Sequence, residues 1–487
     1  CRNYANVTAA NAYAGGIAGY QDTGSKVAYC YNSGTVTAGS NQAAGIVPYS
    51  KGTTTGCQND GHVRCVELPD NEVMAPSNAS GIVGNVSGTA VLTDNINTGT
   101  VEAYRNTAGI AATVSTGALI SRNINYGIVI NGAPNDYSTG AFTARDLTTV
   151  ASGYNLENNY YDKQLGYYGA AYRAPFKGIN GLLSRQLTSG EALEGIDAQQ
   201  VDFAAGQYPV LKRFKDEPAA VAHRNMVVTL PDDETIDDVR HTAALSDTAS
   251  WSLVKAQQFA ISDGNRLTVT IAGDTALRDT LTASLGGYTK VIPLRAQPIA
   301  FAGSGTKADP YQIRSKADML LLASYTNDAD YAFTGRYFKV MNDIDFDTTA
   351  YVPVAVTVHK LDADFDGNGK KFLNINYTSD YKLSTGNLFA LIGNVGENGR
   401  VHNVNLASGY MAAYGRTGGI AGRVYGTVDS CESHITVSTT KDVGFGGIAG
   451  RVMGGGKVTN CKGYAKFEAK YNRVGGIVYD VLRGGLV

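Results

Sequence analysis

The phrase GGIAGYQDTGSKVAYCYNSGTV, residues 15–36, decides the fold of this chain because near copies of it recur along the sequence. Residues 446–467 read GGIAGRVMGGGKVTNCKGYAKF and repeat both the opening Gly-Gly-Ile and the later Cys. Within each of the two groups of copies, 28 to 36 residues separate one Gly-Ile step from the next, and the steps are Gly16-Ile17, Gly45-Ile46, Gly81-Ile82, Gly109-Ile110, the weaker Gly140-Ala141-Phe142, then Gly419-Ile420, Gly447-Ile448 and Gly476-Ile477. Each period is predicted to hold two or three short apolar strands joined by Gly, Asn, Ser and Thr turns.

A unit of this size cannot bury its apolar face alone and must stack on its neighbours. Parallel strands stacked about 4.8 Å apart form a β-solenoid with one continuous core. The sequence therefore predicts an all-β fold. One inward ladder is expected from the isoleucines of the repeat, namely Ile17, Ile46, Ile82, Ile420, Ile448 and Ile477.

The composition agrees with many short strands. The chain has 487 residues with 58 Gly and 30 Tyr, while charged residues make up only 17%. This composition has too many aromatic residues for a disordered chain and too few charged helix-forming residues for a helical bundle. A net charge of -2 gives no footprint for nucleic acid. No apolar run approaches the ~20 residues that a membrane span needs.

The cysteines follow the repeat. Their positions are Cys1, Cys30, Cys57, Cys65, Cys431 and Cys461, and several of the steps between them equal the repeat period. There is no C-x-x-C pair and no His at ligand spacing beside them. We therefore expect small buried thiols stacked in successive coils, with neither disulfides nor a zinc site.

Three regions are predicted. Residues 1–215 form the C-terminal part of a β-solenoid whose repeat stops near residue 150, followed by an end cap with a short helix near 184–196. Residues 216–297 hold only 4 of the 58 glycines and the single Trp, which is typical of a small β-sandwich. Residues 298–487 form the N-terminal, capped part of a solenoid, in which a helix is expected at 319–326 after a capping box at 315–318.

The order of the caps suggests how the two solenoid parts are related. The spacing from Gly475 through Val487 to Cys1 matches the repeat, as if the last coil continued into the first. We therefore expect one period of a longer protein, with a complete solenoid ordered 298–487 and then 1–215.

These phrases resemble the GLUG-motif repeats of bacterial surface proteins. The resemblance is carried by residues 15–36, by GGIAGRVYGTVDSCESHITV at 418–437 and by GGIAGRVMGGGKVTNC at 446–461. Residues 216–297 look like a bacterial Ig-like module on compositional grounds. The resemblance implies right-handed parallel β-helix segments flanking a small Ig-like β-sandwich, in an adhesin-like protein that is secreted or surface-anchored.

Two acidic phrases are the sharpest candidates for a metal site. Alternation along NDIDFD and DADFDG is expected to place six carboxylates on strand faces, those of Asp343, Asp345, Asp347, Asp362, Asp364 and Asp366. If the two strands lie in neighbouring coils, the cluster could hold Ca²⁺, which prefers oxygen ligands. The alternative is that these residues only form turns beside Gly367 and Gly369.

Tyrosines crowd the expected cap. Tyr160, Tyr161, Tyr167 and Tyr168 could offer flat faces and hydroxyl groups to a glycan or a protein. The alternative interpretation, which the residues favour, is packing over the sheet edge.

The predicted function is non-enzymatic. No G-x-S-x-G, H-E-x-x-H or P-loop is present. We expect an extracellular structural and adhesive protein of a bacterial cell surface that forms a rigid stalk or fibre, with no cofactor except a possible Ca²⁺. Its partners would be copies or continuations of the same solenoid at both ends, and host or environmental glycans or proteins. The alternative is a β-helix that binds polysaccharide, or cleaves it with Ca²⁺.

Overall fold

The computed structural model is mostly β, with 44% strand and 7% helix. It divides into two compact units, Cys1–Ile299 and Ala300–Val487. The described residues are 1–10, 12–66, 78–131, 139–144, 154–166, 177–271, 276–328, 331–347, 351–357, 359–378, 388–412, 416–439, 444–469 and 474–487.

The first unit begins with a parallel β-helix whose coils contribute strands to five sheets. The sheets are, in turn, Arg2–Asn3, Tyr31–Asn32, Gln58–Asn59, Ile96–Asn97, Ile124–Asn125, Asn159–Asp162 and Ile179–Leu182; Val7–Ala9, Val36–Ala38, Val63–Cys65, Val101–Ala103 and Val129–Asn131; Tyr13–Gly15, Gln42–Ala44, Asn78–Ser80, Thr107–Ala108 and Thr139–Gly140; Val47–Ser50, Val83–Val86 and Ala111–Val114; and Lys26–Ala28, Thr53–Thr55, Val91–Thr93, Leu119–Ser121 and Asn155–Glu157. The parallel β-helix predicted from the repeats is confirmed.

The number of strands in a coil differs from the prediction of two or three. The coil that starts at Tyr31 has five, each two to four residues long. Segments this short show too little alternation of polar and apolar residues to be separated by sequence periodicity.

The Gly of each Gly-Ile step is required by the stacking of the coils. A Cβ atom on Gly45 would lie 2.1 Å from the carbonyl oxygen of Gly81, and one on Gly81 would lie 2.2 Å from that of Gly109. The second unit repeats the arrangement, with 2.1 Å between a Cβ on Gly447 and the carbonyl oxygen of Gly476. Any side chain here would therefore push neighbouring coils apart.

The isoleucines after these glycines point inward. Ile46, Ile82 and Ile110 are fully buried in the first unit, as are Ile420 and Ile448 in the second. Each donates its backbone N–H to the corresponding residue of the next coil, as Ile46 does to the carbonyl oxygen of Ile82 at 3.2 Å. Each unit has its own ladder, in place of the single ladder expected from the sequence.

Residues 179–299 of the first unit hold helices and antiparallel sheets. The helices are Ser184–Leu187, the 3₁₀ helix Lys212–Phe214 and Pro218–Asn225. The antiparallel sheets are Val201–Asp202 with Val210–Leu211; Val228–Thr229, Ala243–Leu245, Arg266–Val269 and Phe259–Ser262; and Ser250–Leu253, Leu277–Leu285 and Tyr288–Ala296. The helix expected near 184–196 is thus only one turn long. Whether the two larger sheets form an immunoglobulin-like module stays a prediction.

One hydrophobic core joins the solenoid, the cap and the antiparallel sheets of this unit. It includes Ile124 of the solenoid, Leu187 of the cap and Ile292 of the last hairpin. Lys290 enters the same interior, where its ammonium donates to the carbonyl oxygen of Tyr126 at 3.0 Å and burial lowers its pKa to about 8. The predicted boundary at residue 215 therefore lies inside one compact unit, and antiparallel pairing begins before it, at Val201–Asp202.

The second unit is a capped parallel β-helix with five sheets. They are Tyr311–Ile313, Tyr337–Val340, Asp364–Asp366, Arg400–His402, Thr427–Asp429 and Lys457–Thr459; Ile344–Asp345, Lys371–Leu373, Asn405–Leu406, Glu432–Ser433 and Lys462–Gly463; Ile375–Thr378, Gly409–Ala412, Thr436–Thr439 and Lys466–Ala469; Leu388–Phe389, Arg416–Gly418, Gly444–Gly446 and Val474–Gly475; and Ile392–Val395, Ala421–Val424, Ala449–Val452 and Val478–Val481.

The cap of the second unit contains the helix Lys316–Asn327. Ser315 is its N-cap, and its hydroxyl accepts from the backbone N–H of Asp318 at 3.3 Å. The helix expected at 319–326 after a capping box is therefore confirmed, and it starts three residues earlier and ends one residue later. It buries Met319 and Leu322.

The cysteines are free thiols stacked in the coils. Cys30, Cys57, Cys65 and Cys431 are buried, Cys461 is half-buried and Cys1 is exposed. Stacking brings the Sγ of Cys57 to 3.4 Å from the backbone nitrogen of Cys30. The expectation of stacked, unbridged thiols is confirmed, except that Cys1 is not buried.

A reducing agent is expected to leave the thermal stability unchanged. The thiols contribute as small apolar groups in the core, and no covalent bond between them would be lost. The melting temperature measured with and without dithiothreitol checks this. A clear drop in the presence of dithiothreitol would show that disulfides contribute to the fold.

Candidate functional site

The two acidic phrases lie in different sheets of the second unit. The strand Ile344–Asp345 pairs with Lys371–Leu373, whereas Asp364–Asp366 pairs with Tyr337–Val340 on one side and Arg400–His402 on the other. The two phrases lie in neighbouring coils, as the calcium hypothesis required, but in different sheets, so their strands do not pair with each other. The strands Ile344–Asp345 and Asp364–Asp366 therefore lie on different faces of the β-helix.

The carboxylates of the first acidic phrase accept hydrogen bonds from their own turn and from the next coil. The Asp345 Oδ1 accepts from the backbone N–H of Asp347 and from the side chain of Asn374, both at 2.9 Å. These two hydrogen bonds hold the pKa of Asp345 below its usual value. Asp343 accepts from the backbone N–H of Lys371 at 2.9 Å. Only the bond from Asp347 lies within a turn, and those from Asn374 and Lys371 join neighbouring coils.

The second acidic phrase is split between the interior and the surface. Asp362 is buried, and its Oδ1 accepts from the backbone N–H of Asn398 at 3.2 Å. Asp364 and Asp366 are half-buried and flank His402, whose Nε2 lies 2.7 Å from the Asp364 Oδ1 and whose Nδ1 lies 3.7 Å from the Asp366 Oδ1. A histidine thus lies between two carboxylates.

The sequence analysis did not pair His402 with the acidic residues. Asp364 and His402 are 38 residues apart in the sequence and lie in neighbouring coils. Only the strand register brings them together. In the part of the chain that the structure describes, no group of three or more His, Cys, Asp or Glu side chains is placed to hold a metal ion. The expected cluster of six carboxylates is therefore not formed.

The predicted tyrosine site is only partly described. Tyr160 is buried, and its hydroxyl donates to the carbonyl oxygen of Glu194 at 2.8 Å. Tyr161 is half-buried and lies against Gly181. Tyr167 and Tyr168 lie outside the described residues. The hydrogen bond and burial of Tyr160 fit the packing role that the sequence favoured.

A buried column of asparagines is the polar feature that sequence reasoning missed. Each side-chain amide donates to the Oδ1 of the next coil, at 2.8 Å for Asn3 to Asn32, 2.8 Å for Asn32 to Asn59, 2.9 Å for Asn59 to Asn97 and 2.8 Å for Asn97 to Asn125. The same amides also donate to the carbonyl oxygen two residues on, as Asn97 does to Gly99 at 3.1 Å. The donors of these buried amides are thereby paired, as burial requires.

A second column continues where the first group of cysteines ends. Asn95 donates to Asn123 at 2.9 Å and Asn123 to Asn159 at 3.0 Å, in the register position that Cys30 and Cys57 occupy in earlier coils. The sequence signal of these columns is a repeated phrase with Cys or Asn followed two residues later by Asn, as in Cys30-Tyr31-Asn32 and Asn95-Ile96-Asn97. Its residues were interpreted as turns, because Asn is common in turns and the sequence does not show which Asn faces inward.

The asparagine and glycine columns face each other inside the coil. A Cβ on Gly45 would lie 2.3 Å from the Cγ of Asn59, and one on Gly81 would lie 2.1 Å from the Cγ of Asn97. The two phrases of the repeat are therefore complementary, since the missing side chain of one makes room for the amide of the other.

Asp60 is a buried carboxylic acid beside this column. Its Oδ1 accepts from the Thr98 hydroxyl at 2.7 Å and from the side chain of Gln58 at 2.9 Å. Burial nevertheless raises its pKa to about 6. The folded state thus binds the Asp60 proton more tightly than the unfolded chain does.

Asp60 is expected to make the first unit less stable as the pH rises. Its contribution is fully present below about pH 4, the unfolded value, and is lost as the pH passes the folded value of about 6. The difference in unfolding free energy between the wild type and Asp60→Asn should therefore change by up to about 3 kcal/mol between these limits. Urea unfolding at both pH values measures it, and an unchanged difference would contradict the assignment.

No helix among the residues that the structure describes is long and apolar enough to cross a membrane.

Comparison with known proteins identifies the repeat. The family model for the GLUG motif matches residues 10–37. A protein of Evansella cellulosilytica named as a Gly-rich membrane protein is 30% identical over 155 residues, which cover 29% of this chain and 16% of that protein. The halomucin of Haloquadratum walsbyi is 26% identical over 300 residues, 56% of this chain and 3% of halomucin. The chain thus covers a small part of either relative, and no solved structure matches it significantly.

The matched residues span the Gly-Ile step and the Cys-x-Asn phrase of one coil. The Gly-Ile step and the Cys recur in both units, whereas the Asn is replaced by Ser433 and Gly463 in the second. This chain thus contains a GLUG motif, which lies in a coil of a parallel β-helix.

Proposed function

We propose that this chain is part of a non-enzymatic structural and adhesive protein on the surface of a bacterial cell, where its solenoids act as stiff elements of a stalk or fibre. The observation that carries the proposal is the inter-coil bonding of each solenoid. The backbone ladders are joined by a buried asparagine column in the first unit, for example Asn59 to Asn97 at 2.9 Å. Such a column resists both sliding and separation of the coils.

The relatives support a surface location. One is named as a membrane protein and another as a halomucin, and both are far longer than the part that this chain matches. A long protein at a cell surface that is built of stacked coils would be well suited to reach away from the cell.

The proposed partners follow from the solenoid edges. A coil exposes a row of backbone N–H and C=O groups at each end of a stack, and these pair readily with another strand. We propose that copies or continuations of the same solenoid pair there, and that glycans or proteins are bound elsewhere on the surface. Neither a nucleic acid partner nor a cofactor is part of the proposal.

Labelling of intact cells tests the location. Antibodies raised against residues 1–299 should label unpermeabilised cells of the producing organism, and external protease should remove the label. Label that appears only after permeabilisation would contradict a surface role.

Bead adhesion tests the adhesive role. Beads coated with the chain should bind host or environmental glycans or proteins more than beads coated with the unfolded chain. Equal binding of the two would contradict adhesion while leaving the structural role in place.

The alternative is Ca²⁺-dependent polysaccharide cleavage, and the placement of the two acidic phrases in different sheets speaks against it. We propose that Ca²⁺ together with an acidic polysaccharide yields no unsaturated sugars. Their release by the wild type, abolished in Asp364→Ala, would overturn the non-enzymatic proposal.

A further inference from the structure

A buried amine and a buried carboxyl group meet between two coils of the second unit. The Lys360 Nζ lies 2.6 Å from the Glu397 Oε1, and the two side chains are only 3% and 9% exposed. Leu361, which follows the lysine, bridges Val395 of the next coil in parallel register. The contact therefore spans adjacent coils, although 37 residues separate its partners in the sequence.

The surroundings of this pair exclude water. The Lys360 ammonium lies 3.9 Å from the centre of the Tyr425 ring, which belongs to the following coil. Asp362 is buried close by and accepts a hydrogen bond from Asn398, the residue after Glu397. The Arg185–Asp232 pair, by contrast, is open to solvent, with side chains 54% and 58% exposed, and those of the Arg240–Asp238 pair are 10% and 15% exposed. The Lys360 pair differs in its burial and in having an aromatic wall.

Burial also changes the protonation of the carboxyl group. It raises the pKa of Glu397 to about 7, against the opposing effect of the Lys360 charge, and the negative charge of Asp362 raises it further. Glu397 therefore takes up a proton more readily than an exposed glutamate, and transfer of one proton from the Lys360 ammonium to the Glu397 carboxylate would give a neutral pair.

We propose that Lys360 and Glu397 condense into an intramolecular amide. The lone pair of the neutral Lys360 Nζ attacks the Glu397 carboxyl carbon, and a new C–N bond forms. The C–OH bond of the carboxylic acid then breaks, and its oxygen leaves as water with one proton of its own and one from the nitrogen. Nothing is oxidised or reduced, and no co-reactant is consumed. Holding the reacting groups together replaces a collision in solution by an intramolecular step.

The amide would connect two neighbouring coils near the capped end of the second unit. The ladder hydrogen bonds there could still break, but the coils could not separate beyond the length of the cross-link. A cross-link also lowers the conformational entropy of the unfolded chain, as a disulfide does. The inference goes beyond the proposed surface role and does not depend on it, because it concerns only chemistry within the folded chain.

The mass of the intact, denatured chain tests the proposal. After folding and incubation at neutral pH, the wild type should be lighter than its sequence mass by one water molecule. Trypsin should then yield a branched peptide that joins the segments around Lys360 and Glu397, since trypsin does not cut at an acylated lysine. A wild-type chain of full sequence mass, with separate tryptic peptides, would overturn the proposal.

Two variants make the assignment specific. Lys360→Arg keeps the positive charge and the ion pair, but its guanidinium is a poor nucleophile, so this variant should keep its full mass. Glu397→Gln keeps a carbonyl carbon at the same place, and bond formation would expel ammonia in place of water. Loss of water from folded Lys360→Arg would show that the modification lies elsewhere and would overturn the assignment to Lys360.

Discussion

Replacing Asn97 by leucine is expected to destabilise the first unit by about 4 kcal/mol. Asn97 is fully buried, accepts from Asn59 at 2.9 Å and donates to Gly99 and Asn125 at 3.1 and 2.8 Å. Leucine has nearly the same size but leaves one amide proton of Asn59 and the carbonyl oxygen of Gly99 without a partner. The Asn125 Oδ1 then accepts only from the backbone N–H of Gly127, at 3.2 Å. Each buried group left unpaired costs about 1 to 3 kcal/mol. Urea unfolding followed by circular dichroism measures the change.

Asn155→Ala is the matched control for that substitution. Asn155 lies in a strand of the same solenoid, but its side chain faces solvent. The free energy of unfolding should therefore change by no more than about 0.5 kcal/mol. An equal loss in both variants would mean that the asparagine column contributes nothing specific. A neutral Asn97→Leu would show that the buried amides do not stabilise the stack.

Replacing Gly81 by alanine is expected to cost about 4 kcal/mol, more than the 1 to 3 kcal/mol usual for an added methyl group in a core. The new Cβ would lie 2.1 Å from the Asn97 Cγ and 2.2 Å from the carbonyl oxygen of Gly109. The carbonyl group belongs to the backbone ladder and cannot rotate away, so the coils themselves must move apart. The same unfolding experiment measures this variant.

Gly19→Ala is the control for the glycine column. No atom lies within 4 Å of a Cβ on Gly19, and its backbone conformation does not require glycine. Its stability should stay the same or rise by up to about 1 kcal/mol, because alanine restricts the unfolded chain. If Gly81→Ala were as stable as Gly19→Ala, close stacking would not be the reason for the repeated glycine.

The acidic phrases show why the candidate site could not be predicted from sequence. The alternation of acidic and apolar residues correctly predicted a strand at or beside Asp343 and Asp345. Whether these residues contact Asp364 depended on which strands become neighbours. That choice is made by the number of corners in each coil. The coil has five short strands, and sequence periodicity cannot resolve strands of two or three residues.

The Lys360–Glu397 pair illustrates the same limit. Both residues would be taken for surface positions in a sequence, because charged side chains are rarely buried unless they are paired. Only the register of Leu361 with Val395 brings the two together in the interior.

The sequence by itself determined the class of fold, the repeat period, the stacking of the cysteines and the helix at the start of the second unit. It could do so because these depend on spacing along the chain, and because a unit with one apolar face must stack on its copies. The tertiary structure alone decided that the glycines face the buried asparagines, that His402 lies between two carboxylates and that Lys360 meets Glu397. Each of these contacts joins different strands or coils, and it exists only once the register has been fixed.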